Sequence, residues 1–189
     1  MIRLLRGALA LLGAIVGAAG LWEIVLGRLA GRGRGPDRVM HMTVVVRAPI
    51  ERVWAYVADV ERQPEWMREM TEVRLLTSGP VGPGTRGEAT VRIAGVAVTD
   101  PVTVDVFEPP RRFGIRHEGL FGGGGLITLV PLGSGAETAV HWAERLVPPV
   151  FPHLGAVIAR PVLSRIFQAD LDRMCGIVES GADSDAAAT

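Results

Sequence analysis

The chain has 189 residues, 48% of them apolar, and its 20 basic and 20 acidic residues cancel. That length suits one domain with a real core plus an appendage, and neutrality excludes nucleic acid as the main partner, because phosphate binding needs a concentrated positive face. Every basic residue is Arg, and Cys175 is the single cysteine, so neither an internal disulfide nor a cysteine metal site can form.

Leu4 to Leu26 is almost continuously apolar. About 20 helical residues at 1.5 Å each span roughly 30 Å, the thickness of a bilayer core. The run therefore reads as a transmembrane helix within an anchor over residues 1–30. Arg6 can snorkel near its start, and Trp22 can sit in an interfacial belt. The alternative is a cleaved signal peptide, with Arg3 and Arg6 as its positive start and Val16-Gly17-Ala18 as the cleavage site. Gly13 and Gly17 form a GxxxG pair that would let the helix of a second copy approach in a homodimer; in so glycine-rich a run, chance gives the same pattern. Arg28, Arg32, Arg34 and Arg38 follow the helix against Arg3 and Arg6 before it, which places the globular part of a single-pass membrane protein in the cytoplasm. Residues 31–41, GRGRGPDRVMH, read as a Gly- and Arg-rich tether able to touch anionic lipid headgroups.

The domain proper is read over residues 42–180. Met42 to Arg47 is a β-rich run, Ala48-Pro49 pre-set a helix start, and Ile50, Val53, Trp54 and Val57 follow at helical spacing. Asp59 and Gln63-Pro64 break that helix, and Glu65-Trp66-Met67 make a second short turn. Strand runs come next at Val73–Thr77, Glu88–Ile93, Val96–Phe107, Phe113–Glu118, Leu126–Leu132 and Thr138–Leu146. Gly and Pro turns separate them, the pattern of a meandering antiparallel sheet. In Phe151 to Ser180, Leu154, Ile158, Val162, Leu163, Ile166, Phe167, Leu171, Met174 and Val178 recur at three- and four-residue steps. Arg160, Arg165, Asp172 and Arg173 fall mostly on the other side, so this is an amphipathic helix that needs a sheet to lie on. Residues 181–189 read as a disordered tail.

Ala48-Pro49 with the following VWAYVADVERQPEWM, the loop at Gly82 to Glu88, the EPPRRF turn and the closing helix resemble the SRPBCC superfamily, the START-like or polyketide cyclase/dehydrase-like proteins. The resemblance implies an α+β helix-grip fold, an antiparallel sheet wrapped around a long C-terminal helix. Its members include lipid and quinone binders, hormone receptors, pathogenesis-related proteins, aromatase/cyclases and oxygenase subunits, so the fold alone does not settle function.

Alternation along the strands decides which side chains face the enclosed volume. Phe113, Ile115 and His117 share one face of their strand; Thr138, Val140, Trp142 and Glu144 share one face of theirs. With the apolar faces inward, His117 and Glu144 become the polar groups of a greasy cavity, and Trp66, Met67, Phe121 and Trp142 its large liners. Phe113, Ile115, Val140, Leu163 and Phe167 complete the expected ligand-binding set. The first reading is a membrane-tethered binder or carrier of a hydrophobic small molecule such as a lipid, quinone or polyketide-like compound. A second is a cyclase or dehydratase with His117 and Glu144 as acid and base, and Arg116 orienting a carbonyl if the faces are reversed. A third is an interaction module whose interior its own side chains fill. The four histidines His41, His117, His141 and His153 lack metal-ligand spacing, and no cofactor fingerprint is present. Gly122 to Gly125 lacks the Lys-Ser/Thr of a phosphate loop and reads as a flexible turn or bulge beside the cavity. Cys175 reads as a small buried hydrophobe.

Overall fold

The computed structural model describes residues 2–33, 39–93 and 95–187. Helix α1 (Ile2–Gly31) precedes strand β1 (Val39–Val46), helix α2 (Ile50–Val57), a 3-10 turn (Val60–Arg62) and the short helix α3 (Gln63–Trp66). Six strands follow, β2 (Met70–Leu75), β3 (Arg86–Ile93), β4 (Val96–Glu108), β5 (Arg112–Glu118), β6 (Gly122–Leu132) and β7 (Glu137–Val147), before helix α4 (Pro152–Ala187) closes the chain. The strands form one antiparallel sheet in the order β1-β7-β6-β5-β4-β3-β2. Only β1 leaves sequence order, and α2 with α3 carries the chain from one sheet edge to the other. This is the expected helix-grip architecture.

Local chemistry accounts for the elements. In β1, Met40, Met42 and Val46 are buried while His41, Thr43 and Val45 face out, the period-2 pattern of a half-buried strand. Pro49 then sets the entrance to α2, which buries Ile50, Val53, Tyr56 and Val57. Ala48 lends its carbonyl to the buried hydroxyl of Thr138, at 2.8 Å, tying this corner to β7.

Helix α4 serves the free edge of β1. The Thr43 N–H donates to Gln168 Oε1 at 3.2 Å and the Gln168 amide donates back to the Thr43 carbonyl at 3.1 Å. The Cys175 thiol leans on the Val45 carbonyl at 3.6 Å, and Glu179 accepts from the Arg47 N–H at 2.8 Å and from its guanidinium at 2.9 Å. Alternate strand residues thus meet one helix face, and an edge that would otherwise offer unpaired backbone groups is covered. Cys175 is half-buried rather than buried; burial, then Glu179, pushes its thiol up to about 11, which removes it as a nucleophile.

Two halves of α4 behave differently. Leu171, Met174 and Val178 are buried in the core, but Ile158 and Val162, expected on the same apolar stripe, are 66% and 57% exposed. The first turns of α4 run beside α1 instead of the sheet. The α1 face formed by Ala19, Gly20, Glu23, Leu26, Gly27 and Ala30 is partly covered there. Glu23 accepts hydrogen bonds from the N–H groups of His153 (2.9 Å) and Leu154 (2.8 Å) and from His153 Nδ1 (2.6 Å). These are among the orphan donors of a helix start, so α1 caps α4 from another element. The rest of α1 projects free, with Leu11, Leu12, Ile15 and Leu21 exposed.

Three expected boundaries move. The tether over residues 31–41 is shorter, because Val39–His41 already belong to β1 and Gly31 to α1; residues 34–38 lie outside the described residues. The expected tail at 181–189 is helical through Ala187, consistent with the helix propensity of its alanines. β6 begins at Gly122, four residues earlier than its apolar run suggests.

The split in α4 is measurable. Leu171→Ala is expected to cost about 2–5 kcal/mol of unfolding free energy, while Ile158→Ala stays within about 0.5 kcal/mol. Denaturant midpoints of the full chain in detergent give the comparison, and equal losses would contradict the assigned packing.

Candidate ligand cavity

The sheet curves away from the middle of α4, and between them lies a cavity of about 220 Å³. Cross-strand register builds its floor in rows. Phe113, Ile127 and Trp142 are aligned across β5, β6 and β7, as are Ile115, Gly125 and Glu144; His117 lies opposite Val102 of β4. Leu163, Ile166 and Phe167 of α4 form the roof, and Met67 and Met70 close the side next to α3.

Of the expected liners, Met67, Phe113, Ile115, His117, Phe121, Trp142, Glu144, Leu163 and Phe167 all border this space. Trp66 and Val140 do not. Both are fully buried core residues: Trp66 packs edge-on against Trp142 with ring centroids 6.0 Å apart, and Val140 lies further along β7, beyond the cavity floor. Arg116 points away and pairs with Glu118 at 2.7 Å, so no inward guanidinium exists on β5 to orient a carbonyl. The interior is not filled by its own side chains, which removes the third reading of the sequence.

One polar array crosses the floor. His117 Nδ1 lies 2.6 Å from Asp100 Oδ2 and its Nε2 lies 3.1 Å from Glu144 Oε1. Trp142 Nε1 donates to the second Glu144 oxygen at 2.9 Å. Burial pushes the imidazole pKa down, but the hydrogen bonds and charge of Glu144, then of Asp100, outweigh it and hold His117 above its ordinary value. Both ring nitrogens of His117 thus face carboxyl groups, an arrangement that favours the charged imidazole, which donates from both.

Glycine makes that reach possible. Glu144 is on β7 and His117 on β5, with β6 between them. Opposite Glu144, β6 presents Gly125, where a Cβ would collide with Glu144 Oε2. Opposite His117 it presents Gly123, at φ +119°, a backbone conformation that favours glycine. The Gly122–Gly125 run is therefore not a flexible turn or a bulge: it is paired strand on both sides, a window through which two side chains meet over the intervening strand.

Two sets of polar residues escaped the sequence reading. Asp100 shares a face of β4 with the cavity liners Val98, Val102 and Val104, so a carboxylate at that step of the alternation was the available signal. Gln63, Glu69 and Asp170 form a second polar edge between α3 and α4. Asp170 is buried, accepts from the Arg68 N–H at 3.0 Å, and has its pKa raised by burial, with nearby Glu69 adding to the rise. Asp170 follows Ile166 and Phe167 by four and three residues, which places it on the inner helix face.

Fold and cavity define a helix-grip protein with an apolar, ligand-sized interior. Residues 38–179 match the family described as polyketide cyclase / dehydrase and lipid transport, and the chain belongs to that family, within the START-like SRPBCC superfamily. Solved structures share the fold at low identity. The Zhui aromatase/cyclase from Streptomyces sp. R1128 is 22% identical with TM-score 0.62, over 75% of this chain and 93% of its own. A START superfamily protein from Mycobacterium smegmatis is 18% identical with TM-score 0.59, over 78% and 99%. A Thermus thermophilus protein, TTHA0849, is 18% identical with TM-score 0.61, over 76% and 98%. No curated protein matches the sequence significantly.

The array carries a pH signature. Because the folded-state pKa of His117 is raised, its stabilisation is complete below the unfolded value near 6.5 and is lost as pH rises through the folded value. An NMR titration of the imidazole is expected to give a pKa above about 6.5, lowered by Glu144→Gln. A wild-type value at or below that of a free histidine would contradict the two-carboxylate arrangement.

Proposed function

We propose that this protein is a membrane-tethered binder or carrier of an apolar small molecule, held in the cavity under α4. The single observation that carries the reading is the unfilled, predominantly apolar space bounded by β4–β7 and α4. Small-molecule sites are mostly apolar with a few placed polar groups. At about 220 Å³ the space is below the roughly 300–1,000 Å³ of drug-sized sites, so it suits a compact ligand or one part of a longer one.

The tether rests on α1. Ala8–Gly31 is long and apolar enough to cross a membrane, and its exposed Leu and Ile side chains would each forgo about 1.5–3 kcal/mol of burial in water. Arg28 and Arg32 at its C-terminal end favour a cytoplasmic domain. Ile158 and Val162, on the part of α4 beside α1, put further apolar surface near the bilayer, where apolar ligands partition. Gly13 and Gly17 touch no other described segment and leave room for the helix of a second copy.

Two measurements on the full chain test this. After expression, the protein is expected to stay in the membrane pellet through an alkaline carbonate wash; release into the supernatant would sink the tether. Native mass spectrometry from nanodiscs is expected to show a retained apolar mass, and a protein that stays empty when offered lipid extract would sink the carrier.

The Asp100–His117–Glu144 array supports a second reading, a cyclase- or dehydratase-like activity with His117 as general acid. In its charged form, favoured by the two carboxyl groups, His117 has a proton to deliver. His117→Asn separates the two. Under the carrier reading, ligand binding changes only a few-fold; under the enzymatic one, turnover of a polyketide-like substrate falls by about 10²–10⁴ while binding persists.

A further inference from the structure

The cavity's charges are almost all of one sign. Glu69, Asp100, Glu144 and Asp170 border it, His117 is its one basic residue, and no Arg lines it among the described residues. Both ring nitrogens of His117 are already engaged by Asp100 and Glu144. Arg68 and Arg173 act on Asp170 from outside the lining.

Hydrogen-bond accounting gives the same direction. Asp100 Oδ1 and Glu69 Oε2 are buried with no partner, and both residues border the cavity. Buried acceptors without donors are costly in a low-dielectric interior. Among the described residues the one unpartnered buried side-chain donor, Trp66 Nε1, belongs to a residue off the cavity. The buried lining groups left without a partner are therefore acceptors, and a carboxylate or phosphate entering here would face like charges with no guanidinium to meet it.

We infer that the cavity selects an apolar molecule whose head group donates hydrogen bonds and is neutral or cationic, a hydroxyl or an ammonium, and that it rejects fatty acids and other anionic amphiphiles. The inference rests on the cavity being the ligand site and adds which ligands that site takes. The carboxyl groups that border the space for such a head group are Asp100 on the sheet floor and Glu69 with Asp170 beside α3 and α4.

The test compares three probes of one chain length, decan-1-ol, decylammonium and decanoate, binding to the full chain in neutral-lipid nanodiscs at pH 7.5. It is run on the wild type and on the isosteric Glu69→Gln/Asp170→Asn variant. Partition of each probe into the nanodisc is the same for both proteins, so the ratio of affinities isolates the cavity. Wild type is expected to bind decan-1-ol and decylammonium at least about tenfold more tightly than decanoate, a gap that shrinks to about threefold or less in the variant. Decanoate binding as tightly as decan-1-ol in the wild type overturns the inference whether or not the variant folds, and so does an unchanged gap in a folded variant. Binding of none of the three would overturn the carrier reading itself, and this one with it.

Discussion

The attachment of α4 to the open edge of β1 is the constraint on which the rest depends. Gln168, Cys175 and Glu179 satisfy backbone groups of Thr43, Val45 and Arg47, and Leu171, Met174 and Val178 bury their side chains in the same region. An edge strand left bare is an aggregation template, so this contact protects the sheet and fixes the height of the helix at once. With its C-terminal half held there, α4 cannot follow the sheet as the sheet curves away. Leu163, Ile166 and Phe167 then bridge a space instead of packing onto a floor, and the cavity follows from where the helix is tied down.

The polar array depends on the same geometry from the other side. Asp100 and His117 lie on neighbouring strands, but His117 on β5 and Glu144 on β7 would ordinarily be separated by the side chains of β6. Glycine at 123 and 125 removes those side chains without breaking the strand, since β6 pairs with both neighbours throughout the run. Gly in a strand interior is normally a weakness; here the loss is offset by charge-assisted hydrogen bonds in a partly dry setting. Strand integrity and site assembly are therefore properties of one short stretch of sequence.

Much of this was legible beforehand, for identifiable reasons. Element order follows from periodicity and from punctuation by Gly and Pro. The inward orientation of His117 and Glu144 follows from alternation along their strands, because a two-residue period fixes the face of every side chain. Their meeting was not legible, because it depends on what the strand between them lacks, and four consecutive glycines suggest a turn more readily than a paired strand. Periodicity marks Asp100 and Asp170 as inward too, but a single carboxyl among apolar positions shows no role until the fold brings its partners beside it. Trp66 and Val140 fall outside the lining because strand and helix phase says which way a residue points but not how far the cavity extends. The exposure of Ile158 and Val162 escaped too: an amphipathic stripe shows that a face needs covering, not whether the sheet, another helix or something outside the chain covers it.

The last link runs through Glu23. An acidic residue inside an apolar helix is expensive in a membrane and usually marks a specific partner; here the partner is the start of α4, whose exposed N–H groups and His153 side chain take up the carboxylate. A helix joined to a domain by chain connectivity alone is free to reorient. The cap removes much of that freedom by joining the apolar helix directly to the one that roofs the cavity. The apolar helix and the cavity wall are thus successive parts of one mechanical path, from α1 through Glu23 into α4, which then ends on the edge of β1. The orientation of α1 therefore also sets which side of the cavity lies nearest to it, the side bordered by Leu163.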